Sequence, residues 1–184
     1  MPRIARFSAA HTDIDVRLNA SSEAADLISG AVDIDIRYGP RKLQPAGTLV
    51  LELPPETIVP LCAPALMSGD YPLRSVADLQ HHPLIHSEGC LVGWRDWMRL
   101  HRKTRIDIGR GPRFDRSFMA LSAAVDGLGV CLESLLLAQR ELENRTARRA
   151  VRHGRPRRAR LHAESVEVAC RLAEAAQLSG LAVC

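Results

Sequence analysis

Aromatic residues are scarce in this chain of 184 residues, at 4% of the composition, and none follows Phe118. The last third therefore lacks the large side chains that usually anchor a folded segment. Hydrophobic residues still make up 46%, which is enough to bury a core. The length suits one globular domain, or two small lobes that share one core.

Cysteine is also limited, because the chain has five and no two stand at Cys-x-x-Cys spacing. The odd count and the wide spacing argue against a disulfide framework and against a zinc motif, and they favour reduced thiols. The first residues, MPRIARF, lack the apolar stretch of a secretory signal. No run approaches the ~20 apolar residues that a membrane helix needs. We therefore expect a cytoplasmic protein with no membrane contact.

Positive charge is confined to one block, although the whole chain carries a formal net charge of +4. Residues 145–160 hold eight of the 25 Lys and Arg residues and no Asp or Glu, so the 21 acidic residues outnumber the basic ones elsewhere. A mildly acidic body offers no broad electrostatic surface to nucleic acid, so we expect no specific DNA binding by this chain. The block itself is typical of a disordered or solvated segment.

The N-terminal part shows a strand, helix and strand pattern. Apolar and polar residues alternate over 14–18 and again over 32–36, which predicts two strands. Ser21 or Ser22 can cap a helix between them, and Gly30 can end it. Two strands joined through a helix should be parallel.

The remaining pattern alternates short strands with short helices. We expect strands over 49–53, 57–61, 84–86, 113–114 and 130–132. We expect helical segments over 64–67, 75–79 and 135–143, and around the stripe Trp94, Trp97, Met98 and His101. Residues 117–126 are apolar nearly all round, which predicts a buried helix. A last amphipathic helix could begin near Val166, with Ala169, Cys170, Ala173 and Ala176 on the same face.

Five segments resemble, in one order, the effector-binding domain of LysR-type transcription regulators. The similarity is greatest to the branch that includes the glycine-cleavage activator. The segments are DLISGAVDIDIRYG (26–39), ETIVPLCAPALM (56–67), PLRSVADLQHHPLIH (72–86), GWRDWM (93–98) and FDRSFMALSAAVDGLGVCL (114–132). The resemblance extends from about Pro2 to Asn144.

The resemblance implies an α/β fold of the periplasmic-binding-protein type 2 class. Two Rossmann-like lobes would be joined by crossing strands, with a ligand cleft between them. Lobe one would comprise residues 1–57 without its first strand, and residues 58–144 would form lobe two and the return helix. Residues 145–184 depart from the family as an Arg-rich tail, which suggests an out-of-frame reading of GC-rich DNA. Lobe one would then also lack its return strand.

Two predicted helix ends are candidate anion sites. Ser21 and Ser117 each begin a predicted helix, and Asp115 stands just before the second one. Free N–H groups and the helix dipole favour an anion at such ends, although simple N-capping is the alternative for all three residues. The resemblance implies that both ends face the cleft and could hold a small carboxylate.

Other candidates lie at strand ends. Arg37 and Tyr38 end a predicted strand, and Arg37 could bind a carboxylate through two hydrogen bonds or pair with Asp33 or Asp35. His86 could contact an effector. For His81 and His82 the sequence favours structural or solvated roles over metal binding. Pro83 prevents His82 and His86 from sharing a helical face.

We interpret the chain as a small-molecule effector-sensing domain of a LysR-type regulator. It would be truncated and would have no DNA-binding domain of its own. Its effector could be a carboxylate, and complete relatives would be homodimers. We expect no catalytic residue, no metal and no cofactor, since the chain shows no nucleophile motif. The alternatives are a non-functional gene remnant, a solute-binding protein of the same fold and, as the weakest, an enzyme.

Overall fold

The structure is a computed structural model that describes residues 2–21, 23, 25–38, 46–53, 56–90, 92–99, 106–151, 161–162 and 166–171. The helices are α1 (Pro2–Ala10), α2 (Trp94–Arg99), α3 (Ser117–Val125) and α4 (Gln139–Glu143). The strands are β1 (Ile34–Tyr38), β2 (Thr48–Leu53), β3 (Thr57–Cys62), β4 (Leu84–Ser87), β5 (Arg113–Phe114), β6 (Val130–Ser134), β7 (Arg148–Arg149), β8 (Leu161–His162) and β9 (Val166–Arg171). Two single-turn 3₁₀ helices span Pro64–Met67 and Val76–His81. None of the described helices has the length and apolar character that crossing a membrane requires.

The larger sheet forms lobe two and has the order β5-β4-β6-β3-β7, with β8 also paired to β3. Strand β4 runs parallel to β5 and β6, whereas β3 runs antiparallel to β6. The carboxyl ends of β4 and β6 therefore lie at the same edge as the beginning of β3. Ligands of open α/β sheets bind outside this kind of edge.

Helical segments cover both faces of this sheet, as the alternation of side chains along β6 shows. Val130 and Leu132 pack into one buried cluster with Trp94 and Trp97. Cys131 packs on the other face, in a cluster that includes Ala120, Leu121 and Ala124 of α3. Each fully buried large apolar side chain contributes about 1.5–3 kcal/mol to stability, so lobe two contains the main described core.

The smaller sheet forms lobe one and has the order β1-β9-β2. Strand β9 pairs antiparallel with both neighbours: Val168 stands opposite Ile36 of β1 and Leu51 of β2. The central strand of lobe one is thus supplied by a segment that follows lobe two in the chain. Both β1 and β2 end at the side where β9 begins, next to the connection into β3.

The parallel unit predicted for the N-terminal part is wrong. Residues 14–18 form no strand, and the described residues 21, 23 and 25–33 contain a turn at 27–30 but no helix. The Asp26 carboxylate accepts hydrogen bonds from the amides of Ile28 and Ser29, at 2.9 and 3.1 Å, and so offers the backbone an alternative to helical bonding. Strand β1 pairs with β9 instead.

The predicted disorder of the Arg-rich block is wrong for residues 145–151. The backbone of Arg148 and Arg149 pairs with β3, and the amide of Ala150 donates to the carbonyl of Pro60 at 2.9 Å. Ala147, Ala150 and Val151 are buried. The positive charge of the block does not prevent β7 from pairing with β3. The backbone groups of β3 on the side away from β6 need partners, and the Arg148 and Arg149 side chains face solvent.

Three helix predictions also need correction. Residues 166–171 form β9 and not a helix, so lobe one does have a returning strand. Helix α3 is not buried all round, because Phe118 and Met119 are exposed. Helix α4 begins at Gln139 and not near Leu135, since the Ser134 hydroxyl accepts the amide of Leu136 and holds residues 135–138 in turns.

The other predicted strands and helical segments are confirmed within the described residues. His101 lies outside them. The lobe boundaries at 57 and 144 and the out-of-frame origin of the tail stay predictions.

Candidate functional site

The carboxyl edge of the lobe-two sheet brings together Ser87, Ser117 and Glu133. Ser87 is the last residue of β4, Ser117 is the first of α3, and Glu133 is the second-last of β6. The hydroxyl oxygens of Ser87 and Ser117 lie 2.9 Å apart and share a hydrogen bond, although the two residues are 30 positions apart in the chain. Two parallel strands and the helix between them therefore place three polar side chains at one point.

Backbone contacts fix this arrangement. The amide of His86 donates to the carbonyl of Pro112, and the amide of Glu88 donates to that of Phe114, both at 2.8 Å. Any Cβ at Gly89 would lie 3.0 Å from the carbonyl oxygen of Asp115. The loop after β4 is thus packed tightly against the entry to α3.

Glu133 is the least expected member of the group, because it is a carboxyl side chain that is only 2% exposed. Its pKa is raised to about 8, mainly by burial and to a smaller extent by the nearby Glu56. The hydroxyls of Ser117 and Ser87 and the amide of Ser134 act in the opposite direction on this pKa. Within the described part of the chain, its Oε1 atom makes no hydrogen bond.

The start of α3 offers hydrogen-bond donors at the same place. The carbonyl of Arg116 accepts the amides of Met119 and Ala120, at 3.1 and 3.3 Å. The two amides before these, at Ser117 and Phe118, have no intrahelical acceptor, as at every helix start. The predicted capping of this helix by the Asp115 or Ser117 side chain does not occur, because Arg116 is the N-cap and makes no side-chain cap bond. The Ser117 hydroxyl bonds that of Ser87 instead, and the exposed Asp115 carboxylate lies 3.7 Å from Nε of Arg116.

His86 is adjacent to this group in sequence but faces away from it. Successive side chains of a strand point to opposite faces, so His86 and Ser87 lie on opposite sides of β4. Burial lowers the pKa of His86, and the nearby Arg113 lowers it further. Its Nε2 atom is buried and has no hydrogen-bond partner among the residues described.

The lobe-one candidates are not brought to Ser117 by any described contact. The hydroxyl of Ser21 accepts the amide of Glu23 at 3.0 Å in a local turn, and the helix end predicted there is absent from the described residues. Arg37 forms a part-buried ion pair with Asp35, which is one of the two alternatives left by the sequence. The backbone of Tyr38 ends β1, and its side chain lies outside the described part.

The histidines before β4 have structural contacts. His82 Nε2 lies 2.8 Å from the carbonyl oxygen of Tyr71, and the ring of His81 stacks on that of Tyr71 with centroids 4.8 Å apart. Among the described residues, no group of three or more His, Cys, Asp or Glu could hold a metal ion. A groove of about 560 Å³ lies at the opposite end of β4, beside Leu84, Ile106 and Arg110, and is separate from the Ser117 group.

The sequence prediction missed Ser87 and Glu133. Glu133 had a signal that could have been used, because it is an acidic residue in the run VCLESLLL, which is apolar apart from Glu133 and Ser134. A charge in a segment that must be buried marks either a partner or a site. Ser87 had no comparable signal.

Comparison with known proteins agrees with this architecture. The model of the LysR substrate-binding domain family matches residues 1–165. An uncharacterised HTH-type transcriptional regulator, y4mQ of Sinorhizobium fredii, is 41% identical over 147 residues, which cover 78% of this chain and 46% of that protein. The HTH-type regulator PerR of Escherichia coli is 41% identical over 142 residues, covering 77% and 46%. The glycine cleavage system transcriptional activator of Escherichia coli is 37% identical over 146 residues, covering 78% and 46%.

Solved structures show the same fold. The effector domain of the regulator AmpR of Pseudomonas aeruginosa superposes with a TM-score of 0.67 at 28% identity, covering 92% of this chain and 77% of that one. The AmpR effector-binding domain of Citrobacter freundii gives a TM-score of 0.71 at 20% identity, covering 98% and 89%. The fold is therefore that of LysR effector-binding domains, of the periplasmic-binding-protein type 2 class. The chain spans less than half the length of the curated relatives it matches. Because the family model matches most of its length, the chain belongs to the LysR substrate-binding domain family.

Proposed function

We propose that this chain is the effector-binding part of a LysR-type transcription regulator and that a small molecule binds beside Ser117. The observation that carries the proposal is the grouping of Ser117, Ser87 and Glu133 at the free donors of α3. It lies at the carboxyl ends of β4 and β6, the kind of sheet edge where α/β folds bind ligands. The relatives are named as transcription regulators, which favours binding without catalysis.

The other predicted effector contacts depend on the state of lobe one. Arg37 and Tyr38 end β1 on the side that leads to lobe two, and we keep them as lobe-one contacts. Arg37 would first have to leave Asp35, which costs the free energy of a part-buried ion pair. Ser21, His86 and Asp115 have weaker support, because the first lacks its helix end, the second faces away and the third is exposed.

In the complete regulator, effector binding would shift the relation between the lobes and so change DNA binding elsewhere in the protein. We infer a cytoplasmic location from this role. We also propose self-association, for which the exposed apolar residues Phe118 and Met119 of α3 are a candidate surface.

Thermal unfolding of the purified chain with single small molecules tests effector binding. The probes are the twenty protein amino acids, acetate, succinate and benzoate. A probe present at a hundred times its Kd stabilises the folded state by about 2.7 kcal/mol, which is a rise in Tm of about 5–11 °C for a chain of this size. Ser117→Ala should reduce that rise.

Ser122→Ala is the matched control, because Ser122 is an exposed serine of the same helix. It should respond as the unaltered chain does. The proposal fails if no probe raises Tm, or if Ser117→Ala responds as fully as Ser122→Ala.

A further inference from the structure

Resting on the proposed function, we propose that Glu133, Ser87 and Ser117 bind the ammonium group of the effector, while the start of α3 binds its carboxylate. The effector would then be a small amino acid and not a simple carboxylic acid. The geometric basis is a buried carboxyl whose Oε1 atom has no hydrogen-bond partner among the described residues, next to two hydroxyls that are hydrogen-bonded to each other.

The hydrogen-bonding capacity of these three side chains matches an ammonium group. A primary ammonium has three N–H donors and no acceptor. Glu133 Oε1 and the two serine oxygens supply three acceptors from three different elements, β6, β4 and α3. The next available groups are the first amides of α3, which are donors and suit a carboxylate. An amino acid presents both groups on adjacent atoms.

The charges around Glu133 favour a cation. Among the described residues, the ionisable groups that influence its pKa or respond to it are Glu56 just before β3, Cys90 after β4 and Cys131 on β6 itself. All three are acids, and none of the causes that set the pKa of Glu133 is a basic side chain. A ligand group carrying only negative charge would be repelled by Glu133 in its ionised form, whereas an ammonium would be attracted to it.

Proton release follows from the same arrangement. With a pKa of about 8, Glu133 is mainly neutral at pH 7. An ammonium beside it favours the carboxylate, so binding at pH 7 should release about one proton. The affinity should then rise up to about tenfold per pH unit between pH 6 and about 8 and level off above that. A simple carboxylic acid should show the opposite trend, because ionised Glu133 repels its carboxylate.

The experiment compares each amino acid that binds with the 2-hydroxy acid and the simple carboxylic acid that carry the same side chain. Kd is measured by isothermal titration calorimetry at pH 7, in phosphate and in Tris, whose different ionisation enthalpies reveal proton release. We expect the amino acid to bind at least tenfold more tightly than either analogue. Glu133→Gln should weaken its binding about tenfold or more and bring proton release close to zero.

The matched control is Glu23→Gln, which removes a surface glutamate of lobe one and should leave both readings unchanged. Ser87→Ala is the second variant, for the case that Glu133→Gln does not fold; it should weaken amino-acid binding and leave proton release intact. If the analogues bind as tightly as the amino acid, or if Glu133→Gln keeps the proton release, the ammonium site is overturned while effector binding stands. If no probe binds the unaltered chain, the proposed function itself fails.

Discussion

At the scale of single residues, Glu133 links the stability of lobe two to pH. Its carboxyl is buried in the folded chain with a pKa of about 8, and it is solvated in the unfolded chain with a pKa near 4.5. The folded state therefore holds a proton that the unfolded state has already lost between these two values. The stabilising contribution is complete below pH 4.5 and is lost as the pH rises to about 8.

We expect the free energy of unfolding to fall by at most about 1.4 kcal/mol per pH unit in this window, or roughly 5 kcal/mol in total. Urea unfolding followed by tryptophan fluorescence at pH 5.5, 6.5, 7.5 and 8.5 measures it. Glu133→Gln should remove most of the slope and be the more stable form at pH 8.5. His86 acts in the opposite sense below pH 6.5, because burial lowers its pKa, so the difference between variant and parent is the deciding quantity. Identical slopes would contradict the assignment.

Among the residues of the candidate site, the sequence predicts the helix start at Ser117 but not its contact with Ser87 or the nearby Glu133. Ser117 starts a helix with a readable pattern, so its place was predictable. Ser87 meets it only because β4 and α3 converge in space, across 30 residues of chain, and local pattern carries no information on that distance. The Arg37–Asp35 ion pair was one of two readable alternatives, since residues two apart in a strand share a face.

At the scale of elements, close approach of backbones limits which residues can precede β6. A Cβ placed at Gly129 would lie 2.2 Å from the carbonyl oxygen of Pro83, and this neighbour is backbone that cannot rotate away. The amide of Val130 donates to the same carbonyl at 2.9 Å. Any side chain at position 129 therefore forces β4 and β6 apart.

Gly129→Ala should lower the free energy of unfolding by about 4 kcal/mol or more, or prevent folding. Gly93→Ala is the control, because a Cβ there meets nothing within 4 Å. It should change stability by less than about 1 kcal/mol. The measurement is the Tm of the two variants in one buffer. Equal Tm values would contradict the close approach of Gly129 to the carbonyl of Pro83.

Elements of lobe two were predictable because each has its own signal. The strands β3, β4 and β6 are apolar runs bounded by Pro, Gly or Ser, and the Trp94 and Trp97 spacing indicates a helix. The predictions for lobe one were wrong where tertiary contacts decide the structure. The alternation over 14–18 predicted a strand, but no described strand pairs with it, whereas β9 forms although its sequence equally suits a helix. Pairing with β1 and β2 outweighs local propensity there.

At the scale of the whole molecule, the two lobes depend on different parts of the chain. Lobe two contains both tryptophans and both described core clusters. Lobe one depends on β9, which pairs on both sides through Val168. Proline in a central strand removes a donor from the ladder and is rarely tolerated there.

Val168→Pro should disrupt the lobe-one sheet and spare lobe two. Hydrogen exchange should show lost protection over 34–38 and 48–53, with 57–62, 84–87 and 130–134 still protected. Val168→Ala, which keeps the amide, should retain protection in all five segments. Loss of protection in both lobes together would show that the molecule unfolds as one cooperative unit.

The position of β9 between β1 and β2 also constrains the order of events during translation. During translation β1 and β2 leave the ribosome well before residues 166–171 are made. The two strands therefore have no β9 to pair with while the whole of lobe two emerges. Lobe two can assemble on the nascent chain, whereas lobe one is completed last. During that interval the backbone N–H and C=O groups on the edges of β1 and β2 have no β9 partner. We therefore expect chaperones to bind these two strands on the nascent chain.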